Sequence, residues 1–176
     1  MTRLVQRLGL TRYEADEHYK RAIGLYSASS PQIDDAIIEM TYAIELLPNN
    51  SEYHAARGYF YLADSMHREA QADFDEALRL YPYEMLAHYG RGVIAYRERA
   101  WDSAREHFTE AYRADPERAE TLYYLALVYH RQQENAQAAQ LMGQAAAAFD
   151  KRGDAKNRRA ATSWVKTMND LAKKQT

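Results

Sequence analysis

Small and large apolar side chains fall on a fixed grid along this chain. Within residues 51–84, Gly58, Ala70, Phe74, Ala77 and Pro82 are separated by 12, 4, 3 and 5 positions. A step of 34 forward gives Gly92, Ala104, Phe108, Ala111 and Pro116, and a step of 34 back gives Gly24, Ala36, Met40, Ala43 and Pro48. The alanine, large residue and second alanine lie at i, i+4 and i+7, so one face of a helix is small, large, small. The glycine one helix earlier lets two backbones approach, and that packing must offset the roughly 1 kcal/mol that glycine costs in a helix interior. The proline ends each pair, because it lacks an N–H and its φ is fixed. The pattern predicts helical hairpins that recur at this one step.

Residues 1–12 lie outside the grid. Leu4, Val5, Leu8 and Leu10 make a short helix-like pattern broken by Gly9, expected to be loose or to cover the open face of the first pair. The first helix is predicted over 13–29, and the second starts from a Ser30-Pro31 cap and runs to Leu47. Further pairs are predicted near 52–64 and 67–81, with Asp64 and Ser65 as candidate caps, near 85–98 and 101–114, and near 119–132 and 135–150. The repeats thus occupy 13–50, 51–84, 85–118 and 119–152. The fourth departs from the grid, with Ala126 for glycine, Met142 for phenylalanine and Asp150 for proline, and Gly153 supplies a break. Residues 153–176 read as one amphipathic helix. It is expected to cap the alanine-rich stretch 138–149, with Trp164 as its largest buried group and Lys156, Arg158, Arg159, Lys166 and Lys173 facing water.

Three in-register copies of Gly, Ala-x3-Phe and Pro, with Met40 in place of the phenylalanine in the first, resemble the tetratricopeptide repeat. The resemblance spans residues 17–152 and implies an all-α protein, a right-handed solenoid of four helix-turn-helix repeats plus the capping helix. It implies a scaffold for other proteins rather than an enzyme, with a concave groove lined by each repeat's first helix. Carried onto this sequence, the groove positions are His18, Arg21 and Leu25, then Glu52, Ala55, Tyr59 and Leu62. The third repeat supplies Leu86, Tyr89, Val93, Tyr96 and Arg97, and the fourth supplies Glu120, Tyr123, Tyr124, Leu127, His130 and Arg131. An exposed tyrosine stripe suits binding, because tyrosine offers apolar area, a polar tip and few rotors. The expected ligand is an apolar or aromatic segment of another protein, helical or extended. Tyr61 and Tyr129 sit at the family's core position and are set aside. Some members clamp the terminal carboxylate of chaperone tails. The clamp positions here hold Arg21, Leu25, Ala56, Leu86 and Gly90 in one frame, and Ala55, Tyr59, Gly90, Glu120 and Tyr124 in the next, so no chaperone-tail binding is expected.

Composition narrows the picture. Of 176 residues, 47% are hydrophobic and 27% charged, a soluble globular balance. No apolar run approaches the length of a membrane span, and no signal-peptide pattern opens the chain. The absence of cysteine removes disulfides, thiolate metal sites and thiol catalysis, and a cytoplasmic location is expected. The net charge of −2 hides an asymmetry: residues 151–176 carry eight Lys/Arg and two Asp/Glu, or +6, which leaves −8 elsewhere. The basic tail reads as a solvated face or as a docking contact with an acidic partner or a second copy. This last option defines the alternative function, a self-assembling subunit that docks its terminal helices on neighbouring copies. No two of the six histidines share metal-ligand spacing, and His54 and His88, 34 apart, read as structural, so no metal or cofactor is expected. Asp73, Asp75 and Glu76, like Asp34 and Asp35, read as solvated carboxylates without a catalytic motif. An acidic body also argues against nucleic acid.

Overall fold

The computed structural model describes the backbone of residues 2–175 and the side chains of residues 9–175. Among the described residues there are nine helices and no strand. They are α1 (Thr2–Tyr26), α2 (Ile33–Leu46), α3 (Ser51–Ala63), α4 (His67–Leu80), α5 (Met85–Arg97), α6 (Trp101–Ala114), α7 (Ala119–Arg131), α8 (Asn135–Lys151) and α9 (Ala155–Ala172). None is long and apolar enough to cross a membrane. The chain falls into two compact units, Met1–Gly90 and Arg91–Thr176, with the boundary inside α5.

The turns within the hairpins share one construction. Ser65, Arg99 and Gln133, which hold one repeat position, have φ of 65°, 61° and 67°, and Gly153 has 72°. The next N–H in each case reaches back to the last turn of the helix, Met66 to Tyr61, Ala100 to Ala95, Glu134 to Tyr129 and Asp154 to Phe149, at 2.8–2.9 Å. This left-handed closure satisfies carbonyls that the ending helix leaves open. Ser65 is therefore the closing residue of α3 rather than a cap of α4, whose own N-cap is Met66 without a side-chain bond. Left-handed backbone costs a residue with a Cβ roughly 1–2 kcal/mol. Replacing Ser65, Arg99 and Gln133 together by glycine is expected to raise unfolding free energy by about 1–2 kcal/mol in urea titrations, net of glycine's larger entropy loss. A decrease would show that these turns carry no such strain.

The first hairpin is the exception, and Pro31 explains it. Pro31 stands one repeat step before Ser65, and its ring fixes φ at a negative value, so the left-handed turn is closed to it. α1 instead ends at Tyr26, Gln32 donates to the Leu25 carbonyl at 3.1 Å, and α2 begins at Ile33 with Gln32 as N-cap. The expected Ser30 cap is thus corrected. At the other end α1 runs through Gly9 without the expected break, since one glycine weakens a helix without ending it. The side chains of Leu4, Val5 and Leu8 lie outside the described residues. Two caps act as side-chain acceptors: Asn50 takes the N–H groups of Glu52 and Tyr53, and Asp154 takes that of Asn157. With Asp150 where the earlier repeats have proline, α8 continues to Lys151.

Phenylalanine rings fill the space that the glycines open. A Cβ added at Gly58 would lie 2.8 Å from the Phe74 ring, one at Gly92 2.8 Å from Phe108, and one at Gly90 only 2.1 Å from Phe74 Cζ. One repeat step after Gly90 stands Tyr124, whose ring stacks on Phe108 with centroids 5.5 Å apart and planes at 12°. The same repeat position is therefore empty beneath Phe74 and aromatic beneath Phe108. Gly24 does not follow the expectation: it is exposed, and nothing lies within reach of an added Cβ. At the grid place of the phenylalanine stands Met40, fully buried. On α9 the fully buried groups are Ala161 and Met168, while Trp164 is half-buried, a correction to its expected rank.

One carboxylate expected at the surface lies inside. Asp73 on α4 is 5% exposed. Arg57 of α3 grips it with two bonds of 2.7 and 2.8 Å, and His54 Nδ1 lies 3.3 Å from Oδ1. His54 Nε2 donates to the Pro48 carbonyl at 2.9 Å, and His88 repeats that bond to Pro82. With a carboxylate and a carbonyl on its two nitrogens, His54 donates twice and is held as the cation. Its bond to Asp73 raises its pKa, against the opposing effect of burial. For Asp73, burial pushes the pKa up, and the bonds from Arg57 and His54 outweigh it, leaving the pKa below the ordinary carboxylate value.

Candidate functional site

The groove positions divide between the two units. In the first, His18 Nδ1 and Arg21 Nε both lie on Glu39 Oε2 of α2, at 2.7 and 3.0 Å, so their polar ends are held within the first hairpin. Leu25 and Leu86 are half-buried, and Leu62 and Tyr89 are buried, so the expected exposed stripe is corrected at these last two. Tyr59 is the link in a ring ladder, 5.7 Å from Tyr26 and 6.3 Å from Tyr89. Tyr26 also stacks on Phe60 at 4.9 Å, and burial, aided by Tyr59, pushes its hydroxyl up to about 12.

Two residues outside the expected groove set sit beside this ladder. Tyr19 and Tyr53, 34 apart, stack at 5.3 Å. Tyr19 donates to Glu52 at 2.8 Å and Tyr53 to Asp16 at 2.6 Å. Burial first, then these carboxylates, raise both hydroxyls above the ordinary tyrosine range. The pair borders a cleft of about 580 Å³ under the 47–50 turn. Their shared repeat position was the available signal, the same one that singled out His54 and His88.

In the second unit the aromatic groups connect without a gap. Tyr123 meets Phe149 at 6.3 Å and Tyr124 at 6.0 Å; Tyr124 meets Tyr96 edge-on at 5.6 Å; Tyr96 meets Trp101 at 5.3 Å. Edge-to-face contact is the favoured geometry for such rings. Arg131, exposed, places its guanidinium 5.8 Å from the Trp101 centroid, and Arg97 is exposed at the end of α5. His130 donates from Nδ1 to Asn135 at 2.7 Å and faces Trp164 of α9 at 5.5 Å. Tyr96, Tyr123, Tyr124 and His130 are half-buried, so each ring is braced on one side and open on the other. Val93 and Leu127 are buried, again where exposure was expected. Among the described residues no three His, Asp or Glu side chains come together as metal ligands.

Hairpins recurring at one fixed step, with aromatic side chains on their first helices, define a helical-repeat protein of the interaction class. The chain belongs to the tetratricopeptide repeat family, whose model matches residues 53–119 and 100–154. Solved structures agree in fold. PilF of Pseudomonas aeruginosa superposes with a TM-score of 0.67 at 17% identity, covering 90% of this chain and 78% of that one. MamA from Desulfovibrio magneticus gives 0.62 at 17%, covering 92% and 97%. The first TPR of Spaghetti (RPAP3), bound to an HSP90 peptide, gives 0.62 at 16%, covering 69% and 95%. No curated protein sequence matches the chain. The fold is all-α, of the tetratricopeptide type, and supports a protein–protein interaction scaffold.

Proposed function

We propose that the protein captures a segment of a partner protein on the aromatic run of its second unit, Tyr123, Tyr124, Tyr96 and Trp101, with Arg97, His130 and Arg131 around it. The observation that carries this reading is the continuity of ring contacts from buried Phe149 through half-buried Tyr123, Tyr124 and Tyr96 to Trp101. Rings already braced lose little rotamer freedom when a ligand covers them, so more of the contact energy remains as affinity. The ligand is an apolar or aromatic segment, and the arginines favour carboxylates at its edge. In the first unit Tyr59, with Leu25 and Leu86, offers a smaller surface of the same kind, backed by Leu62 and Tyr89 and flanked by Arg21. Clamping of a terminal carboxylate in the manner of chaperone tails is not part of the reading, because neither frame places the lysine, asparagine and arginine set of such a clamp: the first keeps only Arg21 and the second holds alanine, tyrosine, glycine and glutamate.

A peptide library displayed against the folded protein tests this. Selected peptides are expected to share aliphatic or aromatic residues, and Tyr96→Ala to weaken them at least about tenfold, which corresponds to about 1.4 kcal/mol. Helical circular dichroism and melting temperature should stay near those of the parent. Equal binding by parent and variant would discard the site.

A further inference from the structure

The basic helix at the end of the chain carries charges that its own stability does not ask for. Arg152 pairs with Glu120 at 2.9 Å and Arg158 with Asp150 at 3.3 Å. Lys156, Arg159 and Lys166 are exposed and make no ion pair among the described residues, although Lys156 lies near the cap carboxylate Asp154. At i, i+3 and i+10 they share one face of α9. Lys156 sits in the first turn, where the helix dipole disfavours a cation, and that turn has no acidic residue. Ala160, on the same side, holds the grid place of Gly58 and Gly92 yet is exposed. This face of α9 is thus bare.

A complementary face exists on α2. Asp34, Asp35 and Glu45 are exposed and unpaired among the described residues, and they flank Ile38 and Tyr42, which are 50% and 47% exposed. These five residues fall within a single arc of about 100° on the helix. Asp34 and Asp35 suit the first turn of α2, but Glu45 lies in its last turn, where a carboxylate opposes the dipole. At a rise of about 1.5 Å per residue, the acidic positions span about 16 Å and the basic ones about 15 Å. Residues 1–90 hold eight Lys/Arg and fourteen Asp/Glu, a net −6, against the +6 of residues 151–176.

We infer that α9 of one copy docks on α2 of a second copy, with Lys156, Arg159 and Lys166 meeting Asp34, Asp35 and Glu45, and with lysine stems covering Ile38 and Tyr42. The two surfaces are different, so each copy offers one of each and the contact joins the α9 face of one copy to the α2 face of the next. This goes beyond capture of a partner segment and does not depend on it.

Sedimentation velocity on the full chain tests it through a charge exchange. The parent is expected to grow in mass with concentration at low salt, and to weaken at least about tenfold as ionic strength rises to about 0.5 M, where screening acts within a few ångströms. K156E/R159E/K166E and D34K/D35K/E45K should each remain monomeric alone. Mixed together they should associate, since acidic α2 of the first then meets basic α9 of the second. Such restoration in trans cannot arise from misfolding. A parent that stays monomeric at low salt, or a mixture that does not associate, overturns the inference. So does a parent that stays monomeric while binding phosphatidylserine vesicles or RNA through the same lysines, because the occupant would then be that polyanion.

Discussion

Asp73→Asn is expected to destabilise the protein by about 3 kcal/mol, because removing one member of a buried ion pair leaves the other charges uncompensated. At residue 73 Arg57 would keep one neutral acceptor in place of two carboxylate oxygens, besides its bond to the Thr41 hydroxyl, and His54 would lose the carboxylate that holds it protonated. The pH profile separates this from a simple packing defect. His54 has a raised pKa in the fold, so its contribution is complete below about pH 6.5 and fades as pH climbs through the folded value. Asp73 has a lowered pKa, so its contribution is complete above about pH 3.9 and fades as pH falls. The parent should therefore melt highest between about pH 4 and 6.5, with declines on both sides, other groups equal. In Asp73→Asn the decline on the alkaline side should vanish. An unchanged profile, or a loss under about 1 kcal/mol, would mean that Arg57 and His54 find other partners.

Gly90→Ala is expected to cost about 3 kcal/mol, although alanine is the better helix former by about 1 kcal/mol. The added methyl would lie 2.1 Å from Phe74 Cζ and 2.3 Å from Cε2, and the fully buried ring has no open side into which to move. Gly143→Ala in α8 is the matched control. Nothing lies within 4 Å of its added Cβ, and it should gain up to about 1 kcal/mol. Phe74→Leu removes the ring edge, so in that background Gly90→Ala should cost less by about 1–2 kcal/mol, a coupling that a double-mutant cycle measures. Additivity of the two substitutions would refute direct contact as the cause.

The grid of glycine, alanine and phenylalanine was legible because it records steric contact at fixed distance, and α3 to α8 lie within one or two residues of where it places them. It failed at Gly24, where the partner place on the second helix holds Met40 rather than a phenylalanine and nothing lies within reach of an added Cβ. Asp73 was misread for a related reason. On α4 it stands at i+3 from Ala70 and i−4 from Ala77, a buried face that Asp75 does not share, but the Arg57 and His54 that pair with it there lie on the preceding helix. The tyrosines show the limit for the site. Tyr89 and Tyr123 hold the same repeat position, yet one is buried and the other half-open. Periodicity assigns a direction to a side chain, while exposure depends on what the neighbouring repeat places opposite it.

The glycine beneath Phe74 and the tyrosine beneath Phe108 also bear on how such an array can change through time. Copying residues 119–152 into the place of 85–118 would bring a phenol to a spot with no room for a methyl. The third repeat is consequently held to its place after Phe74 by one residue without a side chain, Gly90.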